Sequence, residues 1–158
     1  MIHCCGYYPP SWGKRLYNRQ PWKGKHLHVL TARHQSRYWP MKKIIVLEDD
    51  DGIREAFGLI LENAGYNAVL LQNGDSLLKG DFEEPCLFII DKQLPGVDGI
   101  DVCRVLKSRP VYASTPVIVV SASNRAETIA IEAGADDFLA KPFGIKQVIE
   151  LVKKYCGH

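Results

Sequence analysis

From residue 41 onward, short apolar runs alternate with stretches whose apolar residues recur at helical spacing. The runs at 44–47, 68–71, 87–90, 117–120 and 138–140 are bounded by turn-forming residues, the pattern of strands covered on both faces. Between the first two, Ile53, Ala56, Phe57, Ile60, Leu61 and Ala64 form the stripe of a first helix, with Asp51 as its expected N-cap and Gly65 as its stop. Residues 75–79 allow only a short second helix, because Gly80 interrupts and Pro85 closes the segment. A third helix runs through Val102, Cys103, Val105 and Leu106 and stops before Pro110. A fourth spans about 126–133 and closes at Gly134; a fifth carries Ile145, Val148, Ile149 and Val152 and ends near Cys156-Gly157. Five strands alternating with five helices predict an α/β fold with a doubly wound parallel sheet.

Residues 1–40 do not continue this pattern. Pro9-Pro10, Pro21 and Pro40 break them, and only 27–32 has a short apolar run. The charge is also divided. The near-neutral total of +2 conceals seven basic and no acidic side chains in 1–40, against thirteen basic and eighteen acidic in the remainder. Interleaved with Trp12, Tyr17, Trp22 and Trp39, the basic residues have the composition of a nucleic-acid or anionic-membrane binder. A disordered or artefactual leader is the favoured reading, because the segment has no periodic apolar face to dock and Met41-Lys42-Lys43-Ile44 reads as an ordinary protein start. The expected division is therefore a leader at 1–40 and one globular domain at 41–158.

No apolar run approaches the length of a membrane span, and no secretory pattern opens the chain. The five cysteines are odd in number and lack C-x-x-C spacing, so neither a disulfide framework nor a zinc site is expected. Cys86 and Cys103, in apolar contexts, are expected to be free and buried, which suits a reducing cytoplasm.

The chemistry-bearing residues gather at the carboxyl ends of the predicted strands. Glu48 and Asp49 follow the first, Asp91 the third, Ser121 the fourth and Lys141 the fifth. That edge is where open parallel sheets build their sites. Singly, each has a plain structural reading: an acidic helix start, an Asp or Ser capping a turn, a surface lysine. Together they form a different set. Crowded carboxylates raise one another's pKa unless a cation joins them, and hard oxygen ligands suit Mg²⁺. With an ammonium and a hydroxyl nearby, the set meets the needs of phosphoryl transfer, in which an Asp carboxylate can be the nucleophile.

These residues lie in Ile-Val-Leu-Glu48-Asp49-Asp50, Ile90-Asp91-Lys-Gln-Leu-Pro95-Gly-Val-Asp98-Gly99, Val-Ser121-Ala122 and Gly134-Ala-Asp-Asp-Phe138-Leu-Ala-Lys141-Pro142-Phe143. In that combination, over about residues 42–156, the sequence resembles the response-regulator receiver domain of two-component signalling. The resemblance implies a flavodoxin-like (βα)5 fold. It implies Asp91 as phosphoacceptor, and Glu48, Asp49, Asp91 and the backbone carbonyl of Gln93 as the Mg²⁺ site. Ser121 and Lys141 would close on the phosphoryl group, and Phe138 would be the switch aromatic; a plain core phenylalanine is the competing reading of that ring. The implied role is a signalling phosphoacceptor rather than a turnover enzyme. The implied donor is a histidine kinase or histidine phosphotransfer protein.

The expected output face comprises the fourth helix, fifth strand and fifth helix, docking an unknown downstream protein or a second copy as a homodimer. Nucleic acid is not an expected partner of the receiver domain. Since little follows Cys156, output is expected to pass through another molecule. One departure from the family is the interval from Ser121 to Lys141, about two residues short, in the loop and first turn of the fourth helix. Three rival readings remain open: a receiver-like interaction scaffold that works without phosphorylation, a binder acting through the basic leader, and a metal-dependent hydrolase. The last lacks a second Asp two residues after Asp91, where Gln93 stands.

Overall fold

The computed structural model describes residues 41–79, 82–83 and 85–157. The readings placed on residues 1–40 and on Gly80 lie outside that range. The observed order is β1 (Lys43–Leu47), α1 (Asp51–Asn63), β2 (Asn67–Leu71), α2 (Gly74–Lys79), β3 (Leu87–Asp91), β4 (Gln93–Leu94), β5 (Val97–Asp98), α3 (Gly99–Ser108), β6 (Val117–Ser121), α4 (Ala126–Glu132), β7 (Asp137–Ala140) and α5 (Ile145–Cys156).

Five of the strands make one parallel sheet in the order β2-β1-β3-β6-β7. Side chains alternate across the pleat, so each inner strand feeds two cores. Ile45, Leu47, Phe88, Ile90, Val117 and Val119 face one side, where they meet Leu77 of α2, Val102 and Leu106 of α3 and Ala130 of α4. Ile44, Val46, Leu87, Ile89, Ile118 and Val120 face the other, against Phe57 and Leu61 of α1 and Val148 and Val152 of α5. That double coverage explains why β3 and β6 are uninterrupted apolar runs. Each such side chain contributes roughly 1.5–3 kcal/mol by leaving water.

Two helices end, and one turn forms, as the sequence suggests. Gly65 after α1 and Gly134 after α4 both have positive φ, and Gly96 (φ 81°) follows Pro95 in the turn joining the two-residue strands β4 and β5. The cap of α1 is a correction. Asp50, not Asp51, is extended and accepts the Ile53 N–H at 2.9 Å, while Asp51 is the first helical residue. Helix α4 is under two turns long, and Ala126 and Ala130 are its buried residues.

The cysteines require a second correction. Cys86, just before β3, is joined to Cys156, the last residue of α5, with their Cα atoms 5.4 Å apart. Seventy residues separate the two, so local spacing carried no sign of the pair. The return of α5 along the sheet brings them together. Cys103 is free and buried, as expected.

Candidate functional site

The sheet register converts the strand ends into one site. Asp91 pairs with Val120, so it stands one residue behind Ser121 on the neighbouring strand. Ser121 pairs with Ala140, and the Lys141 N–H donates to the Ser121 carbonyl at 2.8 Å. On the other side of β3, Leu47 is level with Ile90, which brings Glu48 beside Asp91. Glu48, Asp49 and Asp91 each offer a carboxylate oxygen within 4.8 Å of the others.

Two of these carboxylates are deep: Glu48 is 1% exposed and Asp91 5%. Lys141 bridges them, its Nζ 2.8 Å from Glu48 Oε2 and 3.2 Å from Asp91 Oδ1. Burial pushes the Glu48 carboxyl above its usual range despite Lys141, with Asp91 adding repulsion. Burial likewise raises Asp91 against the pull of Lys141 and the Gln93 N–H, and Asp49 raises it further. For Lys141, burial favours the neutral amine, but Glu48 and Asp91 more than offset it and hold the proton more tightly. One ammonium thus faces a three-carboxylate cluster. Such a set of oxygen donors fits a hard divalent cation such as Mg²⁺.

Ser121 is buried, and its Oγ accepts the Ser123 N–H at 3.2 Å. Gln93 reaches the site through its backbone N–H on Asp91, while its side chain is exposed. Phe138 stands apart from the carboxylates, half-buried against the α2–α3–α4 core. It lines a 550 Å³ groove with Asn124, Glu127, Leu151 and Lys154. Beside the carboxylates, a more apolar groove of 580 Å³ runs along Ile53, Ala56, Ala122, Pro142 and Phe143.

Four supporting residues had no role at the site assigned from the sequence, though Asp98 and Gly99 stand in its motif. Arg54 donates to the carbonyls of Glu48 and Asp49. Lys92 pairs with Asp98 at 2.8 Å, and Asp98 also caps α3 through the Ile100 N–H. Burial pushes Asp98 up, but Lys92 and that N–H more than offset it, so its carboxyl lies below the usual range. Gly99 lies so close to β3 that a Cβ there would overlap the Asp91 carbonyl oxygen. The signals were faint: an Arg one turn into a helix after an acidic strand end, and a Gly in a turn already accounted for by Pro95-Gly96.

A family model, the response regulator receiver domain, matches residues 44–153. Over 115 residues the chain is 33% identical to the alkaline phosphatase synthesis transcriptional regulatory protein PhoP of Bacillus subtilis, covering 71% of this chain and 47% of that protein. It spans about half the length of the curated relatives it matches. Among solved structures, a putative response regulator from Chloroflexus aurantiacus superposes with TM-score 0.70 at 29% identity, covering 75% of this chain and 99% of that one. The response regulator TrrA of Thermotoga maritima, solved in complex with Mg(2+)-BeF, superposes with TM-score 0.66 at 29% identity, covering 73% and 99%. With its parallel five-stranded sheet and this match over most of its length, the chain belongs to the response regulator receiver domain family of two-component signalling.

Proposed function

We propose that the chain is a phosphoacceptor that takes a phosphoryl group from a phosphohistidine, on a histidine kinase or histidine phosphotransfer protein, onto Asp91. The observation that carries this reading is a carboxylate 5% exposed, grouped with two more and facing a single lysine. An Asp91 oxygen attacks phosphorus, the P–N bond breaks, and its electron pair returns to the imidazole nitrogen of the donor, which takes up a proton from solvent.

Glu48, Asp49, Asp91 and the Gln93 carbonyl are the groups that would hold Mg²⁺. When bound, the ion supplies the charge neutralisation that lets a dianionic phosphoryl group approach three carboxylates. The Mg(2+)-BeF complex of TrrA supports this assignment by similarity. Lys141 exchanges part of its pairing with Glu48 and Asp91 for a phosphoryl oxygen. Ser121 donates its hydroxyl to another. Gln93 and Ser123 are the residues whose side chains would steer the resetting water: it attacks phosphorus, the bond to Asp91 breaks, inorganic phosphate leaves, and the carboxylate is restored for the next signal. The apolar groove along Ile53 and Pro142 gives the donor protein a seat next to Lys141.

Output follows from movement of Ser121 and Lys141 toward the new charge, with Phe138 changing its packing in the groove between α4, β7 and α5. A downstream protein or a second copy docks there. Among the described residues, no helix is long and apolar enough to cross a membrane.

Intact mass after incubation with acetyl phosphate, with and without Mg²⁺, tests the reading. A Mg²⁺-dependent phosphoryl adduct absent from Asp91→Asn is expected. No adduct, together with no beryllofluoride binding, would make a phosphorylation-independent scaffold the better description.

A further inference from the structure

The turn that follows β1 has an unusual arrangement of carbonyls. In an extended strand, successive carbonyls point in opposite directions across the ladder. Here the carbonyl oxygens of Glu48 and Asp49 converge on one nitrogen, Nη1 of Arg54, at 2.9 and 3.1 Å. The chain must bend at Asp49 for both to reach it, and a bend is observed at that residue. The other arm of the guanidinium, Nη2, bonds the Asp51 carboxylate, which fixes the plane of the fork. The Arg54 side chain is 17% exposed, and its own N–H donates to the Asp50 carbonyl at 2.9 Å as part of the first helical turn. With their carbonyls drawn to one side, Glu48 and Asp49 present their carboxylates within 4.8 Å of Asp91 and of each other.

We infer that Arg54 is a positioning residue for the cation site: it holds the peptide planes of Glu48 and Asp49 so that both carboxylates aim at the place Mg²⁺ takes. The inference rests on the phosphoacceptor reading and deepens it. Arginine suits the task because its planar fork serves two acceptors and a carboxylate in fixed directions, whereas a lysine ammonium is a single point. Groups that orient metal ligands without touching the metal typically alter affinity 10- to 100-fold when removed. Mg²⁺ demands near-ideal octahedral geometry and Ca²⁺ tolerates irregular sites, so misaimed carboxylates should lose Mg²⁺ more than Ca²⁺.

The test is calorimetric titration of the full chain with MgCl₂ and separately with CaCl₂, for the parent, Arg54→Lys and Arg54→Met, after each shows a cooperative melt in metal-free buffer. Arg54→Met is expected to weaken Mg²⁺ binding about 10-fold or more and to shift the Mg²⁺-to-Ca²⁺ preference toward Ca²⁺. Arg54→Lys should fall between the two and keeps the test alive if Arg54→Met does not fold. A folded variant with parental Mg²⁺ affinity overturns the inference. So does an equal loss for both ions, which a purely structural role would produce. Failure of the parent to bind Mg²⁺ at all overturns instead the phosphoacceptor reading beneath it.

Discussion

Reducing the Cys86–Cys156 bond should weaken the domain by an amount set by chain length. The bond closes a loop of 70 residues between the start of β3 and the end of α5. In the chain-entropy treatment, the constraint on the unfolded chain is about 15 cal/mol/K for that length, or roughly 4 kcal/mol at 25 °C. A compact unfolded ensemble has already lost part of that freedom, so about 4 kcal/mol is an upper value. For a domain of this size, 1 kcal/mol moves the melting midpoint by about 4 °C, giving a fall of roughly 15 °C. The assay is thermal denaturation of the chain prepared without reductant, with and without a phosphine, alongside Cys86→Ser. Alkylation under denaturing conditions and peptide mass spectrometry report the linkage itself. A fall on reduction in the parent and none in Cys86→Ser is expected. If the linked peptide disappears on reduction while the midpoint holds still, the entropic reasoning is refuted. If Cys86 and Cys156 alkylate without reduction, the pairing is refuted.

Removing the ammonium between two buried carboxylates should be costly, so Lys141→Met is expected to lose about 3 kcal/mol in urea denaturation at pH 7 without Mg²⁺. Adding Asp91→Asn should restore part of that loss, and an unchanged double variant would argue against charge as the cause. Gly99→Ala drives a methyl group into the Asp91 carbonyl and should cost about 3 kcal/mol; a melting midpoint within about 2 °C of the parent would show that α3 can shift to admit it. Glu48 and Asp91 are raised in the folded chain, so their stabilising contribution is full below the ordinary carboxylate range near about pH 4 and is lost as pH rises through the raised folded values. In metal-free urea titrations, stability should therefore decline more steeply above that range in the parent than in Asp91→Asn, and saturating Mg²⁺ should flatten the curve. The same slope in both proteins would contradict it. Asp98 and Asp137, held low by their lysine and backbone donors against the cost of burial, contribute in the opposite sense as acid protonates them.

The sequence was most informative where one physical cause acts alone. Strands β3 and β6 are buried on both faces, so their side chains must be apolar, and their ends were legible to within a residue. The gathering of the five candidate groups was legible for a different reason: each has a plain structural reading alone, but four strand ends at one sheet edge carrying compatible groups do not, and the sheet brings those groups together. The cap of α1 was misplaced because Asp49, Asp50 and Asp51 are chemically equivalent, and only backbone geometry selects Asp50. The disulfide could not be read from spacing, since nothing local relates residue 86 to residue 156. Arg54 was invisible for a subtler reason. Its partners are main-chain carbonyls, which every residue possesses, so no side-chain pattern marks them.

Helix α4 spans seven residues, its anchors in the core are alanines, and Ile129 and Ile131 are about half exposed. A helix that short lies well below the length at which backbone hydrogen bonds sustain themselves in water. Alanine methyls return little for the ordering of a turn, at about 0.8 kcal/mol per buried carbon. The free energy needed to open α4 by itself is accordingly among the smallest of the helices that cover the sheet, and its amides should exchange through local fluctuation rather than global unfolding. The sheet and the carboxylate cluster can therefore stay fully formed while the surface beside Ser121 samples more than one arrangement.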